Sequence, residues 1–236
     1  EMIKKSVLEL GGSDPFIVLA DADVENAANL ALATRLQFNA GQSCISAKRF
    51  IVEAGIADAF IQHLTEATAR LVVGDPMAED TDVGPLSSEQ IRSDVEKQVA
   101  ASIEKGARLI CGGERLSGKG YFYTPAILAN VTSGMAVYHE EVFGPVMPVI
   151  SVKDADEAVK VANDSDYGLA GAIFSADVTR AEDMARRMET GSVFINGQVK
   201  SDPRLPFGGV KQSGYGRELS HQGIKEFVNI KTIWVK

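Results

Sequence analysis

Pro15-Phe16-Ile17-Val18-Leu19-Ala20, then Asp23, the alanine-rich run from Val24 to Gln37, and Lys48-Arg49-Phe50-Ile51-Val52 together decide the fold. The first run is apolar without alternation, as expected of a strand buried on both faces. Asp23 stands where an N-cap belongs, and the run behind it has helical period to about Gln37. The next apolar run reads as a second strand.

The same alternation continues outward. Ile56 to Val72 reads as a helix closed by Gly74-Asp75-Pro76. Ser87 or Ser88 caps another helix running to about Lys105, with Gly106 as its stop. Arg108 to Cys111, Tyr123 to Leu128, Val146 to Val152, Leu169 to Phe174 and Ser192 to Asn196 read as extended segments. Ala155 to Ala162 and Thr179 to Glu189 read as helices between them. Strands and helices in regular exchange predict an α/β fold with a mostly parallel sheet covered by helices. Val7-Leu8-Glu9-Leu10 is a short apolar piece stopped by Gly11-Gly12, and Gly191 to Gly216 is rich in turns. Phe227 to Val235 is β-prone, and a terminal strand needs a partner edge; we expect that edge on a neighbouring subunit.

At 236 residues the chain suffices for one large domain or two small ones. Its net charge of −8 points away from nucleic acid and from anionic membrane surfaces. No apolar run is long enough to span a bilayer, and no signal peptide is expected. Two cysteines 67 positions apart, Cys44 and Cys111, suggest neither a disulfide framework nor a metal cluster, which fits a reducing, cytoplasmic setting. The chain opens on Glu1 and runs almost at once into a strand-like segment, so we expect it to be part of something longer.

Tests for common sites return little. No Gly-x-Gly-x-x-Gly follows a strand, and Gly209-Val210-Lys211-Gln212-Ser213-Gly214 lacks the ending of a phosphate-gripping loop. His63, His139 and His221 have no metal-ligand spacing. Cys111 sits in a strand and reads as a packing residue. Cys44 is different: it lies in Phe38-Asn39-Ala40-Gly41-Gln42-Ser43-Cys44-Ile45-Ser46, among small and polar residues where backbone amides can reach a thiolate. Glu9 is a lone charge in Val-Leu-Glu-Leu, either a strand position facing water or a carboxylate that activates water. Glu141 is open between a helix-start charge and a hydroxyl acceptor.

Five motifs together are specific. Glu9-Leu10-Gly11-Gly12, Gly41-Gln42-Ser43-Cys44, Glu140-Glu141-Val142-Phe143-Gly144-Pro145, Pro206-Phe207-Gly208-Gly209 and Ser213-Gly214-Tyr215-Gly216-Arg217-Glu218 stand in this order. In order and spacing the chain resembles the aldehyde dehydrogenase superfamily over essentially its whole length. The resemblance implies a catalytic domain at residues 11–221, a C-terminal oligomerisation strand at 222–236, and the end of a cofactor domain, otherwise missing, at 1–10. It implies NAD or NADP as cofactor, a small-molecule aldehyde as substrate and a homodimer or homotetramer, with no nucleic-acid or membrane partner.

By the same resemblance Cys44 is the nucleophile, and its backbone N–H an oxyanion donor. Glu9 is the general base for the deacylating water. Glu141 holds the nicotinamide ribose hydroxyls, Phe143 packs beside that ribose, Phe207 lines the aldehyde tunnel, and Asn196 is a structural residue near the site. Ser13 to Val18 and Gly216 to His221 look most like the succinate-semialdehyde dehydrogenase branch. Some members of that branch carry an arginine six residues before the cysteine, where this chain has Phe38; Arg204 is the candidate replacement cation. The alternatives are a CoA-acylating semialdehyde dehydrogenase and, for the isolated chain, a catalytically silent assembly module.

Overall fold

The computed structural model describes residues 3–236; Glu1 and Met2, at the start of the expected 1–10 segment, lie outside them. Its strands in chain order are β1 (Leu8–Glu9), β2 (Pro15–Val18), β3 (Arg49–Glu53), β4 (Arg108–Cys111), β5 (Ala126–Ala129) and β6 (Val146–Val152). They continue with β7 (Tyr167–Gly168), β8 (Ala170–Phe174), β9 (Ser192–Ile195), β10 (Val210–Lys211) and β11 (Gly214–Tyr215). The helices are α1 (Val24–Leu32), α2 (Ala54–Thr68), α3 (Glu89–Glu104), α4 (Ala136–His139), α5 (Ala155–Asn163), α6 (Val178–Arg187) and α7 (Ser220–Glu226).

Seven strands form one sheet in the order β4-β5-β6-β3-β2-β8-β9. Every neighbouring pair is parallel except β4 with β5, so the expected mostly parallel α/β sheet is found. Successive strand residues point to opposite faces, and the apolar runs fill both. Phe16, Val18, Phe50, Val52, Val149 and Phe174 pack under α1 and α2, whereas Ile17, Ile51, Ile150 and Ile173 pack under the other helices. On the first face Phe16 lies 5.4 Å from Phe50 and 4.4 Å from Phe174, ring centre to ring centre. Such aromatic pairs add roughly 0.5–1.5 kcal/mol each beyond their buried area.

The helix starts follow the sequence signals. Asp23 accepts from the Asn26 amide at 3.0 Å, and Ser88 from the Ile91 amide at 3.2 Å. Three departures are informative. The expected helix from Val24 to Gln37 widens into a π-turn over Ala33–Gln37, because Arg35 is drawn inward and the Thr34 hydroxyl bonds back to Leu30 O at 2.8 Å. Helix α7 has no side-chain cap and begins across Leu219 and Ser220, both at positive φ, so no sequence signal announced it. Residues 227–236 form no strand within this chain: Ile230, Ile233 and Trp234 are 90%, 81% and 82% exposed. A β-prone segment without a bordering edge has nothing to hydrogen-bond to.

Arg35 ties the architecture to the cysteine turn. Its guanidinium is fully buried and donates to Val146 O at 2.8 Å, Val142 O at 2.7 Å, Gly41 O at 3.2 Å and Ser46 Oγ at 3.4 Å. Burial pulls its pKa down to about 9, so desolvation is only partly offset. Truncation would strand these acceptors in a dry interior. Arg35→Ala is therefore expected to lower stability by roughly 3–5 kcal/mol, read as a shift of the urea midpoint; a midpoint unchanged from the parent chain would refute the clamp.

Candidate active site

Parallel topology gathers the motifs. In a parallel sheet all loops that precede strands open on the same edge, and β6, β3, β2 and β8 are adjacent in that order. Glu141 to Pro145 precede β6, Cys44 to Lys48 precede β3, Gly11 to Asp14 precede β2 and Leu169 precedes β8. Segments more than a hundred residues apart thus meet at the amino-terminal edge of four neighbouring strands.

The cysteine turn is held in an unusual shape. Asn39 and Ala40 have φ of 52° and 51°, and Gly41 has 73°. Left-handed conformations outside glycine cost on the order of 1 kcal/mol each and concentrate at functional turns. A Cβ at Gly41 would collide with the Gly144 carbonyl, so the glycine lets the two loops touch. Gln42 secures the other side: its amide nitrogen donates to Asn39 O at 3.1 Å and Pro85 O at 3.3 Å, and its Oε1 accepts from the Ser87 amide at 2.7 Å.

Cys44 is half-buried in the turn before β3. Burial raises its thiol pKa; Lys48 and the Ile45 amide pull it back down, while Asp14 and Glu9 raise it further. Beneath the turn, Lys48 is 1% exposed and its Nζ donates to Ser43 O and Cys44 O at 2.8 Å and to Ser46 O at 3.1 Å. Asp14 is also buried: its Oδ1 accepts from the Ala170 amide at 3.0 Å and its Oδ2 has no partner. Burial pushes Asp14 up to about 7 against the opposing pull of Lys48.

Glu141 Oε1 accepts from the Gly12 amide at 3.1 Å and lies 3.4 Å from Lys48 Nζ. A Cβ at Gly11, itself at φ 106°, would stand 2.5 Å from Glu141 Oε2, and one at Gly12 3.1 Å from Cys44 O. The Gly-Gly pair is therefore the seat into which both the glutamate and the cysteine turn fit. Glu141 and the half-buried Phe143 line a hollow of about 390 Å³ with Gln98, Val95 and Ile91 of α3. A carboxylate beside an aromatic ring in a hollow of this size suits a ribose diol, whose hydroxyls need acceptors and whose carbon face needs apolar contact.

Glu9 stands in β1, which pairs with β11, and its carboxylate reaches the Gly208 backbone, where a Cβ would stand 3.2 Å from Oε1. Burial raises its pKa, Glu218 raises it further and Arg217 opposes both. The residue is exposed overall, and its charge is felt at Cys44. Phe207 is buried and bridges to Glu218 through a pair of backbone bonds of 2.9 and 2.8 Å. It lines a hollow with β9, Leu205 and Lys200. A second hollow of about 360 Å³ is lined by Phe38, Ile45, Ser46, Thr34, Lys200 and Ser201; Ile45 and Ser46 follow Cys44 directly in the chain.

Arg204 is 85% exposed, with its guanidinium paired to Asp202 at 2.9 and 2.6 Å. Asn196, at φ 52°, clamps Ser175 by accepting from its amide and donating to its carbonyl, a structural role at the end of β9. Cys111 is half-buried in β4 against the α1/α2 face. Lys48 and Asp14 carry no motif that separates them from ordinary strand-edge residues; only their burial beside Cys44 marks them.

The sheet and the converging loops describe an α/β domain with a half-buried thiol at one sheet edge. A model of the aldehyde dehydrogenase family matches residues 1–233, and the chain belongs to that family. It is 53% identical over 232 residues to succinate semialdehyde dehydrogenase (NAD(P)+) Sad of Escherichia coli (strain K12), covering 98% of this chain and 50% of that protein. It is 52% identical over 233 residues to succinate-semialdehyde dehydrogenase (NADP(+)) 1 of Mycobacterium tuberculosis (strain ATCC 25618 / H37Rv), covering 99% and 51%. The solved structure of betaine aldehyde dehydrogenase from Staphylococcus aureus in complex with NAD+ superposes with a TM-score of 0.89 at 38% identity, covering 94% of this chain and 44% of that one. The chain thus spans about half the length of the curated relatives it matches. Among the described residues no helix is long and apolar enough to cross a membrane, and no cluster of three or more His, Cys, Asp or Glu could hold a metal ion.

Proposed function

We propose that the chain is the catalytic part of an NAD(P)-dependent aldehyde dehydrogenase that oxidises succinate semialdehyde, or a similar semialdehyde, to the carboxylic acid. The observation that carries this reading is the meeting of Cys44, Glu141 and the Gly11-Gly12 seat at one sheet edge. The activities named for the relatives support the substrate and the cofactor. Residues 1–10 would close a cofactor domain, 11–221 form the catalytic domain, and 222–236 pair with a neighbouring subunit in a homodimer or homotetramer; the exposed apolar tail supports this last point.

In this mechanism the Cys44 thiolate adds to the aldehyde carbon, and the former carbonyl oxygen becomes the alkoxide of a thiohemiacetal. The Cys44 amide is one donor to that oxygen. Glu141 would hold the ribose hydroxyls and Phe143 would pack against the sugar. When bound, the nicotinamide supplies the hydride acceptor. The Cys44 thioester that remains is hydrolysed as Glu9 takes a proton from the attacking water. Covalent capture divides a difficult oxidation into two accessible steps.

The test is NADH or NADPH formation by the full-length gene product against a panel of aldehydes. Fastest turnover of succinate semialdehyde is the expected result, and preference for an uncharged aldehyde would overturn the substrate. The thiol chemistry is testable on the chain itself. Iodoacetamide should label Cys44 faster than the strand-bound Cys111. The Cys44 rate should climb with pH into a range above that of an ordinary thiol, because burial favours the protonated form. Equal labelling of both cysteines would count against Cys44 as the reacting group.

A further inference from the structure

The buried ammonium under the cysteine turn is used by none of the steps above. Lys48 takes three carbonyls of that turn, from Ser43, Cys44 and Ser46, with one Nζ. On its other side lies Glu141 Oε1 at 3.4 Å, and the Phe143 ring centre is 6.0 Å away. We propose that Lys48 is a positioning residue for the nucleophile and that Glu141 acts on Cys44 through it: the ammonium holds the turn by its carbonyls, and Glu141 keeps that ammonium charged and in place.

The surrounding charges show why a second carboxylate is needed. Burial and the neighbouring Arg35 both work against the proton on Lys48, pulling it down to about 8, while Asp14, Glu141 and Cys44 favour it. Asp14 faces it from the start of β2, Glu141 from the loop before β6, and Arg35 from the π-turn. Asp14 is itself pushed up by burial, so near neutral pH its negative charge is incomplete. Glu141 is half-buried, with one oxygen fixed by the Gly12 amide. Glu9, in β1, also disfavours the Cys44 thiolate. Lys48 is the foremost group favouring the Cys44 thiolate, and Glu141 Oε1 lies 3.4 Å from its ammonium. The chain of influence runs from carboxylate to ammonium to sulfur.

The sign of one substitution separates this from plain electrostatics. Glu141→Gln keeps the shape and the acceptor for Gly12 but removes the charge. If Glu141 acted on sulfur directly, its loss would relieve repulsion and speed alkylation. Acting through Lys48, its loss lets the ammonium shed its proton more easily, and alkylation slows.

The experiment measures the iodoacetamide rate at Cys44 against pH in the parent chain, Glu141→Gln, Lys48→Met and the double variant. Labelling of Cys111 serves as an internal control, and circular dichroism monitors folding. At neutral pH Lys48→Met is expected to slow Cys44 by about tenfold, one pH unit's worth of thiolate. Glu141→Gln should slow it severalfold, with its profile moved to higher pH, and should slow nothing further when Lys48 is already Met. Faster labelling in Glu141→Gln, or an equal effect of that change in both backgrounds, would overturn the proposal. Should Lys48→Met fail to fold, the sign of the Glu141→Gln effect alone decides. The proposal rests on Cys44 as the reacting thiol, and its failure is distinguishable: a Cys44 that never labels ahead of Cys111 defeats the proposed function, whereas one that labels normally but ignores Glu141 defeats only the coupling.

Discussion

Replacing Cys44 with alanine is expected to reduce aldehyde-dependent NADH formation by the full-length gene product at least about 10³-fold, because the covalent route disappears with the nucleophile. The fold should survive. Cys44 is half-buried in a turn whose shape is set by Gly41, Gln42, Arg35 and Lys48, and none of their bonds uses the sulfur. The discriminating measurement is turnover beside a thermal unfolding curve. A near-parental melting curve with turnover lost supports the assignment. Turnover above a tenth of the parent's would remove Cys44 from the chemistry.

Replacing Glu9 with glutamine should act on the second half-reaction only. A general base is worth about 10²–10⁴-fold, so steady-state turnover should fall by at least two orders of magnitude. A first burst of one NADH per active site should remain, since thioester formation does not need the base. Burial raises the carboxyl pKa of Glu9, with Glu218 adding to it and Arg217 opposing. A raised carboxyl stays protonated over a wider range on the acid side, so the deacylation rate should rise with pH through a window above that of an ordinary carboxylate. Rapid-mixing absorbance reads both features. Parental turnover in Glu9→Gln would assign deacylation to another group, and release of the acyl group by added CoA but not by water would favour the CoA-acylating alternative.

Much of the fold is legible in the residues. Pro15 to Leu19, Phe50 to Val52 and Val146 to Ile150 are apolar on both faces, and a strand buried on both faces belongs in a helix-covered sheet. Asp23 and Ser88 announce helix starts through chemistry local to a few residues. Signals fail where the cause is distant. The π-turn at Ala33–Gln37 exists because Arg35 reaches the carbonyls of Val142 and Val146, more than a hundred positions away. The 227–236 segment has strand composition, but a strand is completed only by an edge.

The candidate site divides in the same way. Cys44, Glu9 and Glu141 stand out in the residues themselves, and the resemblance to the aldehyde dehydrogenase superfamily adds Phe143 and Phe207. Nothing local could show that Phe38 and Phe207 line different hollows. Nor could it show that Lys48, one cation among 24, is sealed under the cysteine turn. The sequence by itself determined the α/β class, the family motifs and the thiol. The tertiary structure decided which charges face that thiol, because a parallel sheet brings the loops before β6, β3, β2 and β8 to one edge, and burial there turns ordinary side chains into strong electrostatic partners.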